Sequence, residues 1–499
     1  MKAENGLGVR TMRSRNSVGV HGVKWMGVLL VIPLVALSAC SGARNPKGAT
    51  GETAFTPSIE ATTPVAAGEI GGEASATPTI TGAPSGKVTG SRSSAPTGGS
   101  GTAPSPKLYP PSTLFTASED RIGITKDQIT LCYHLALTYG SAFQTGADDM
   151  NVYYTAINEE KGGVYGRKIV ATYENDNYDP QTAVQAATAC KAKNPFLLLG
   201  GFGMDQVPAV RNWAEQNHQL YLHTLATVNG SEGKKYSFTQ SATVEKFGEM
   251  FAELAVKKHA KQKIGIIKRN SPNWEPGVTA FKAAAKKYGL QIVAERAVQA
   301  SQANYTQEIL DMKKAGAQVV WAWDNAMASI EIVRQAKAQL YSPVWMMFPF
   351  NMVSQTAGDD ALNPPLEGVA AWPAFSKGDY TGSFASYADA IKEFERQYAK
   401  YRSGTDISGI SGDLLFMKWM GDKYLVDQLM DCGPDCTRNR LIDTWHSYTP
   451  KKIQPSPCQI DFSRHPNRGG YQLSIMEAWK SPSGKVNWAN KTICAEHII

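Results

Sequence analysis

Residues 158–180 read NEEKGGVYGRKIVATYENDNYDP, and one complete change of period falls inside them. The segment leading in carries Ala147, Met150, Tyr154 and Ile157 at three- and four-residue spacing, which is one apolar face of a helix. Gly162 and Gly163 stop that helix. Residues 169–174 then read as a strand, and Asp179-Pro180 supplies a cap and a first-turn proline for a second helix reaching about residue 193. Helix, strand and helix joined by short connections predict an α/β architecture with a parallel sheet.

The same alternation extends both ways. Strands are expected at 129–135, 196–199 and 220–225, with helices between them. After Val244 the pattern restarts: helix to about 258, strand 264–268, helix 277–288, strand 291–296, helix 305–315, strand 319–323, helix 326–339, strand 344–348. Two doubly wound parallel-sheet units in one chain imply two lobes. Ligands of such sheets meet the crevice at the carboxyl ends of the strands, where loops and helix N-termini converge.

A chain of 499 residues exceeds one compact core. The formal charge of +7 is concentrated early: Lys2, Arg10, Arg13, Arg15 and Lys24 against Glu4 give residues 1–39 a net four, and the remainder is near neutral. That balance argues against nucleic acid as a partner, which calls for a basic stripe or patch. The basic residues precede one apolar run, MGVLLVIPLVALSA at 26–39. It falls short of the roughly 20 residues of a spanning helix and ends in small residues, as a secretory signal does. Leu37-Ser38-Ala39-Cys40 resembles the lipobox of bacterial lipoproteins, which implies a signal peptide over 1–39, an acylated Cys40, and a position on the extracytoplasmic face of the bacterial cell membrane held by lipid alone. From Ser41 to Pro110 the chain is built almost entirely of Gly, Ala, Ser, Thr and Pro. Such a segment cannot bury a core, so 40–117 is expected to be the lipidated cysteine and a tether.

The folded part resembles the type 1 periplasmic binding proteins, in the branch of leucine/isoleucine/valine-binding proteins of ABC transporters. The resemblance rests on an ordered set: Ile122-Gly123-Ile124-Thr125, Leu137-Thr138-Tyr139-Gly140, NEEKGG at 158–163 with Gly166-Arg167-Lys168, Asp176-Asn177-Tyr178-Asp179-Pro180, and Leu199-Gly200-Gly201. It covers residues 118–499. It implies two lobes joined by a three-segment hinge, with crossings near 236–242, 368–375 and 452–458. Lobe one is then 118–240 with 368–452, and lobe two 241–367 with 453–499. The implied role is capture of a small-molecule solute, an amino acid or related metabolite, by a monomer, without cofactor or metal, for delivery to an ABC transporter permease. The alternative is a ligand-sensing lipoprotein that signals to a membrane partner without transport.

The resemblance also assigns ligand contacts to loops after strands. In lobe one these are 137–141, 203–206 and 224–227, with Tyr139, Gly203, Met204, Asp205, Thr224, Ala226 and Thr227 as candidates. Lobe two offers Ser271, Trp274, Asp324, Asn325 and Phe348, with Trp274 as a cover and Asp324 as an acid for an ammonium group. Plainer readings stand beside these: Trp321 and Trp323 as core packing, Asp324 as a helix cap. Met204-Asp205 departs from the small hydroxyl residue that amino-acid-binding relatives present to a ligand carboxylate. A carboxylate side chain there repels a carboxylate ligand unless it points away, so amides, polyols, peptides and aromatic metabolites remain open.

Six cysteines follow Cys40: Cys132, Cys190, Cys432, Cys436, Cys458 and Cys494. An even count outside the cytoplasm favours disulfides, and fifteen connectivities are possible. The expected set is Cys132 with Cys190, Cys432 with Cys436, and Cys458 with Cys494. A zinc site from Cys432, Cys436 and His446 is the alternative, without a second CxxC-type pair to complete it. No GxSxG, HExxH, P-loop or GxGxxG pattern occurs, since Gln206 stands where the third glycine after Gly201 and Gly203 belongs. His134, His218 and His223 read as capping or packing residues rather than general bases, so no enzyme activity is expected.

Overall fold

A computed structural model describes residues 109–139, 143–201, 203–300, 302–348, 362, 365–370, 385–407, 409–447, 458–480, 484 and 486–499. The signal segment, Cys40 and most of the expected tether lie outside the described residues, as do Gly140, Ser141 and parts of the second and third expected crossings.

The first half contributes β1 (Gln128–Leu135), β2 (Thr138–Tyr139), β3 (Phe143–Gln144), α1 (Ala147–Met150), α2 (Val152–Glu160), β4 (Lys168–Asn175), α3 (Pro180–Ala192), β5 (Leu197–Gly200), α4 (Gln206–Gln216), β6 (Tyr221–His223), α5 (Val228–Ser231) and β7 (Ser237–Thr239). Next come α6 (Val244–His259), β8 (Lys263–Arg269), α7 (Glu275–Lys287), β9 (Gln291–Val298), α8 (Thr306–Lys314), β10 (Val319–Trp323), α9 (Ala326–Ala338), β11 (Val344–Phe348) and β12 (Leu366–Ala370). The chain ends with α10 (Ala385–Tyr401), α11 (Gly409–Cys432), α12 (Arg438–His446), β13 (Leu473–Lys480) and β14 (Val486–Ala495).

Two sheets share one strand order. Sheet one runs β4-β1-β5-β6-β7, all parallel. Sheet two repeats that order as β9-β8-β10-β11-β12 and adds β13 and β14 antiparallel at its edge. The expected parallel, doubly wound order therefore holds in both sheets, and the second carries two further antiparallel strands that the alternation did not announce. Leu131, Leu197, Leu199, Leu222 and Phe238 are buried in sheet one; Ile264, Ile266, Val319, Trp321 and Met347 are buried in sheet two.

Local chemistry accounts for the helix–strand–helix succession of residues 158–180. The Asn158 side chain donates to the Ile169 carbonyl and accepts from the Ile169 N–H, both at 2.7 Å, pinning α2 to β4. A side chain at Gly163 would put its Cβ 2.0 Å from the Arg167 carbonyl oxygen, and φ there is +83°, so only glycine fits the turn. Asp179 caps α3 by accepting from the Thr182 N–H at 2.8 Å, with Pro180 in the first turn.

The chain passes between the lobes three times. After β7 it enters α6 of lobe two. From β12 in sheet two it returns to α10, which packs on α2 through Arg396 and Lys400 with Glu160. The segment after α12 runs beside β7, where Thr239 donates to the Asn467 carbonyl at 2.9 Å and Gly469 donates to the Thr239 carbonyl at 2.8 Å, before reaching β13. The folded body also begins earlier than expected. Phe115 is buried, and the Ser112 and Phe115 N–H groups donate to Asp443 and Asn439 of α12.

Candidate functional site

In sheet one the strand order reverses between β1 and β5, and in sheet two between β8 and β10. Crevices for ligands open at such reversals, outside the carboxyl ends of the strands. The loops after β5 and β8 meet there.

Asp205 occupies the N-cap position of α4 but makes no capping bond to its own helix. Its carboxylate reaches lobe two instead. Oδ1 accepts from Ser271 Oγ at 2.6 Å and from Asn273 Nδ2 at 3.0 Å; Oδ2 accepts from Trp274 Nε1 at 3.2 Å. The lobe-one side of this contact is stiff. Thr224 Oγ1 donates to the Gly201 carbonyl at 2.8 Å, and a Cβ on Gly200 would meet the His134 carbonyl oxygen at 2.0 Å. Met204 is buried beneath the loop.

On the lobe-two side Trp274 is only 1% exposed and packs edge-on against Trp323, with ring centroids 5.3 Å apart. Trp323 Nε1 donates to the Trp274 carbonyl at 2.9 Å. Phe348 continues the aromatic row, 5.5 Å from Trp323 and 5.1 Å from Phe247. Trp321 and Trp323 are fully buried, as the packing reading has it. Trp274 therefore carries packing as well as the bond to Asp205.

Asp324 is also fully buried. It accepts from Arg269 Nε at 2.7 Å and from the Asn325 N–H at 2.6 Å. Burial raises its pKa against the opposing pull of Arg269, and the nearby charge of Asp205 raises it further. The helix cap is Asn325, whose side chain accepts from the Ala328 N–H at 3.0 Å, not Asp324. Sequence reasoning missed Arg269 and left Asn273 unnamed. The signal for Arg269 was an opposite charge at the end of the neighbouring strand: β8 and β10 pair Lys268 with Trp323, so the next residues are Arg269 and Asp324.

Thr227 and Ala226 are engaged locally. Thr227 caps α5 by accepting from the Gly230 N–H at 2.9 Å, and the Ala226 carbonyl accepts from the Val244 N–H at 3.0 Å. Gly203 sits against the Gln206 side chain, and Tyr139 lies in β2.

A sequence model of periplasmic binding proteins matches residues 138–419. The chain belongs to the periplasmic binding protein family. More finely it is a type 1 member, similar to leucine/isoleucine/valine-binding proteins. It is 24% identical over 285 residues to Leu/Ile/Val-binding protein homolog 7 of Brucella abortus (strain 2308), covering 54% of this chain and 68% of that one. Among solved structures it resembles a fatty acid ABC transporter substrate-binding protein from Thermomonospora curvata, with a TM-score of 0.60 and 18% identity over 76% of this chain and 94% of that one. A branched-chain amino acid transporter substrate-binding protein from Streptococcus pneumoniae, solved with isoleucine, gives a TM-score of 0.58 at 14% identity over 74% of this chain and 100% of that one. A solute-binding protein from R. palustris, solved with benzoate, gives 0.58 at 13% over 74% and 97%.

In this periplasmic binding protein the cysteines pair as expected: Cys132 with Cys190, Cys432 with Cys436, and Cys458 with Cys494. That takes two ligands from the zinc alternative, and His446 Nε2 is bonded to the Pro466 carbonyl at 2.8 Å. The three histidines singled out in the sequence are packed or bonded into the protein. His134 is buried between Asp176 at 3.0 Å and the Tyr221 hydroxyl at 2.7 Å; His218 stacks on Tyr236. His223 is buried beside Arg211, and burial first, then that charge, pushes its pKa down to about 3. Among the described residues no helix is long and apolar enough to cross a membrane.

Proposed function

We propose that this chain captures a small organic solute between its two lobes outside the cytoplasm and presents the closed complex to an ABC transporter permease. In this reading acylated Cys40 and the tether hold a monomer at the membrane surface, and the protein performs no catalysis. One observation carries the reading: two sheets with the same strand order face their switch-point loops toward each other, and those loops meet through Asp205 and the segment 271–274. Recognition divided between two lobes lets a solute bias the equilibrium between lobe arrangements, and the solute-bound closed surface is one that a permease can distinguish. The row of Trp274, Trp323 and Phe348 is buried packing behind the 271–274 turn, and Phe348, the least buried of the three, is the member that supports a solute with an apolar face.

The test is a thermal-shift screen of amino acids, amides, polyols, aromatic acids and fatty acids on the full chain, followed by small-angle scattering with each solute that responds. A solute at about a hundred times its Kd stabilises the folded form by about 2.7 kcal/mol. The expected result is a raised melting temperature with one chemical class and a saturable change in lobe arrangement. A screen in which no solute shifts the melting temperature, together with unchanged scattering, removes the reading.

A further inference from the structure

The Asp205 contact goes further than a meeting of loops. Aspartate at an N-cap ordinarily accepts from its own helix. Asp205 forgoes that bond and takes three donors from the other lobe: a hydroxyl, an amide and an indole N–H. All three are neutral, and the carboxylate is the charged member of the set, which makes each bond stronger than a neutral pair. The donors are held in place by the protein itself. The Asn273 N–H donates to Ser271 Oγ at 3.2 Å, and the Trp274 ring is locked by burial and by Trp323.

We infer that Asp205 serves as an internal ligand: its carboxylate fills the donor set of Ser271, Asn273 and Trp274, latching the lobes without solute and excluding solutes that would bring a carboxylate to that place. This deepens the proposed function and rests on it for the substrate class. The solute that the crevice accepts at this end offers an N–H or O–H, because Oδ2 holds one bond and keeps a lone pair free for a donor. A carboxylate there would meet the Asp205 charge at contact distance with its donors already taken.

The experiment needs no solute. Fluorophores on unnatural residues at exposed Lys161 in lobe one and Lys286 in lobe two report the lobe separation of the full chain by energy transfer. In the unmodified protein the short separation should dominate and ignore added acetate. Asp205→Gly deletes the acetate-like part of the side chain and removes no cap from α4. The closed-to-open ratio should fall about tenfold or more, the size expected for charge-assisted bonds. Millimolar acetate should then restore the short separation saturably, while acetamide, or sodium chloride at matched ionic strength, should not. An open unmodified protein, an Asp205→Gly variant that stays closed, or equal effects of acetate and acetamide would each overturn the latch. Should Asp205→Gly fail to fold, Ser271→Ala with Asn273→Ala removes two donors from the other lobe, and persistence of the short separation in that variant overturns it equally. Failure of the solute screen leaves these results readable, so the latch and the transport reading fall separately.

Discussion

The indole N–H of Trp323 donates to the backbone carbonyl of Trp274 at 2.9 Å, and the two rings meet edge-on at 75°. Strand β10 thereby fixes the turn after β8, and with it the donors that reach Asp205. The apolar core of lobe two and the polar crevice are one structure at this point, because the residue that bonds across the crevice is itself part of the core.

Trp323→Phe keeps most of the ring but leaves the Trp274 carbonyl buried without its donor. Losing one partner of a buried bond costs about 1–3 kcal/mol. The urea midpoint should fall accordingly with an unchanged slope. The lobe separation should also shift toward open, since the 271–274 turn loses its support; a lower midpoint with an unaltered separation would confine Trp323 to packing.

The three disulfides close chain segments of very different length, 58, 4 and 36 residues apart in sequence. In the chain-entropy account, removing Cys132–Cys190 costs about 4 kcal/mol and removing Cys432–Cys436 about 2 kcal/mol. Paired alanine variants compared by urea denaturation should therefore rank in that order. The reverse ranking would mean that local geometry around α11 outweighs loop length.

His223 supplies a pH dependence. Its folded pKa of about 3 lies below the ordinary 6.5, so the unfolded chain binds a proton that the folded one refuses. Stability from this group is complete above pH 6.5 and is lost as the pH falls toward 3. The slope is about 1.4 kcal/mol per pH unit, or about 2 kcal/mol by pH 5. His223→Asn keeps a donor for the Thr224 carbonyl and has no titrating ring. Its stability should fall less steeply between pH 6.5 and 5 than that of the unmodified protein, measured by urea unfolding at each pH.

How much of this was legible follows from the range of each interaction. The Asp179 cap, the Gly162-Gly163 stop and the strand–helix alternation act within a few residues, so periodicity and turn chemistry reported them. Strand β7 is three residues long and too short for a pattern, and β13 with β14 adds antiparallel strands after three helices. Helix α11 carries apolar residues around most of its circumference, GISGDLLFMKWMGDKYLVDQLMDC, so no single face announced it. At the site, the family's order names loops as candidates. Their partners could not be read, because Asp205 meets residues 66 to 69 positions away across a crevice. A sequence shows Asp205 as a departure from its relatives without showing where its carboxylate points.

The core of lobe one holds an ion pair that tests burial against pairing. Lys418 Nζ lies 2.5 and 2.6 Å from the two oxygens of Asp422, with side-chain exposures of 6% and 1%. The Tyr133 hydroxyl donates to Asp422 at 2.9 Å, and the ammonium sits 4.0 Å from the Tyr133 ring centroid and 5.2 Å from those of Tyr154 and Tyr173. Burial lowers the Lys418 pKa and raises that of Asp422, and each charge resists the shift of the other. Lys418→Met should cost about 3–5 kcal/mol, because it strands a carboxylate in the core. Adding Asp422→Leu removes the stranded charge, so the double variant should recover most of that loss although it contains one more substitution. Recovery is the informative result, since a pair valuable in itself predicts the opposite ordering. Urea midpoints of the two single variants and the double variant decide between them.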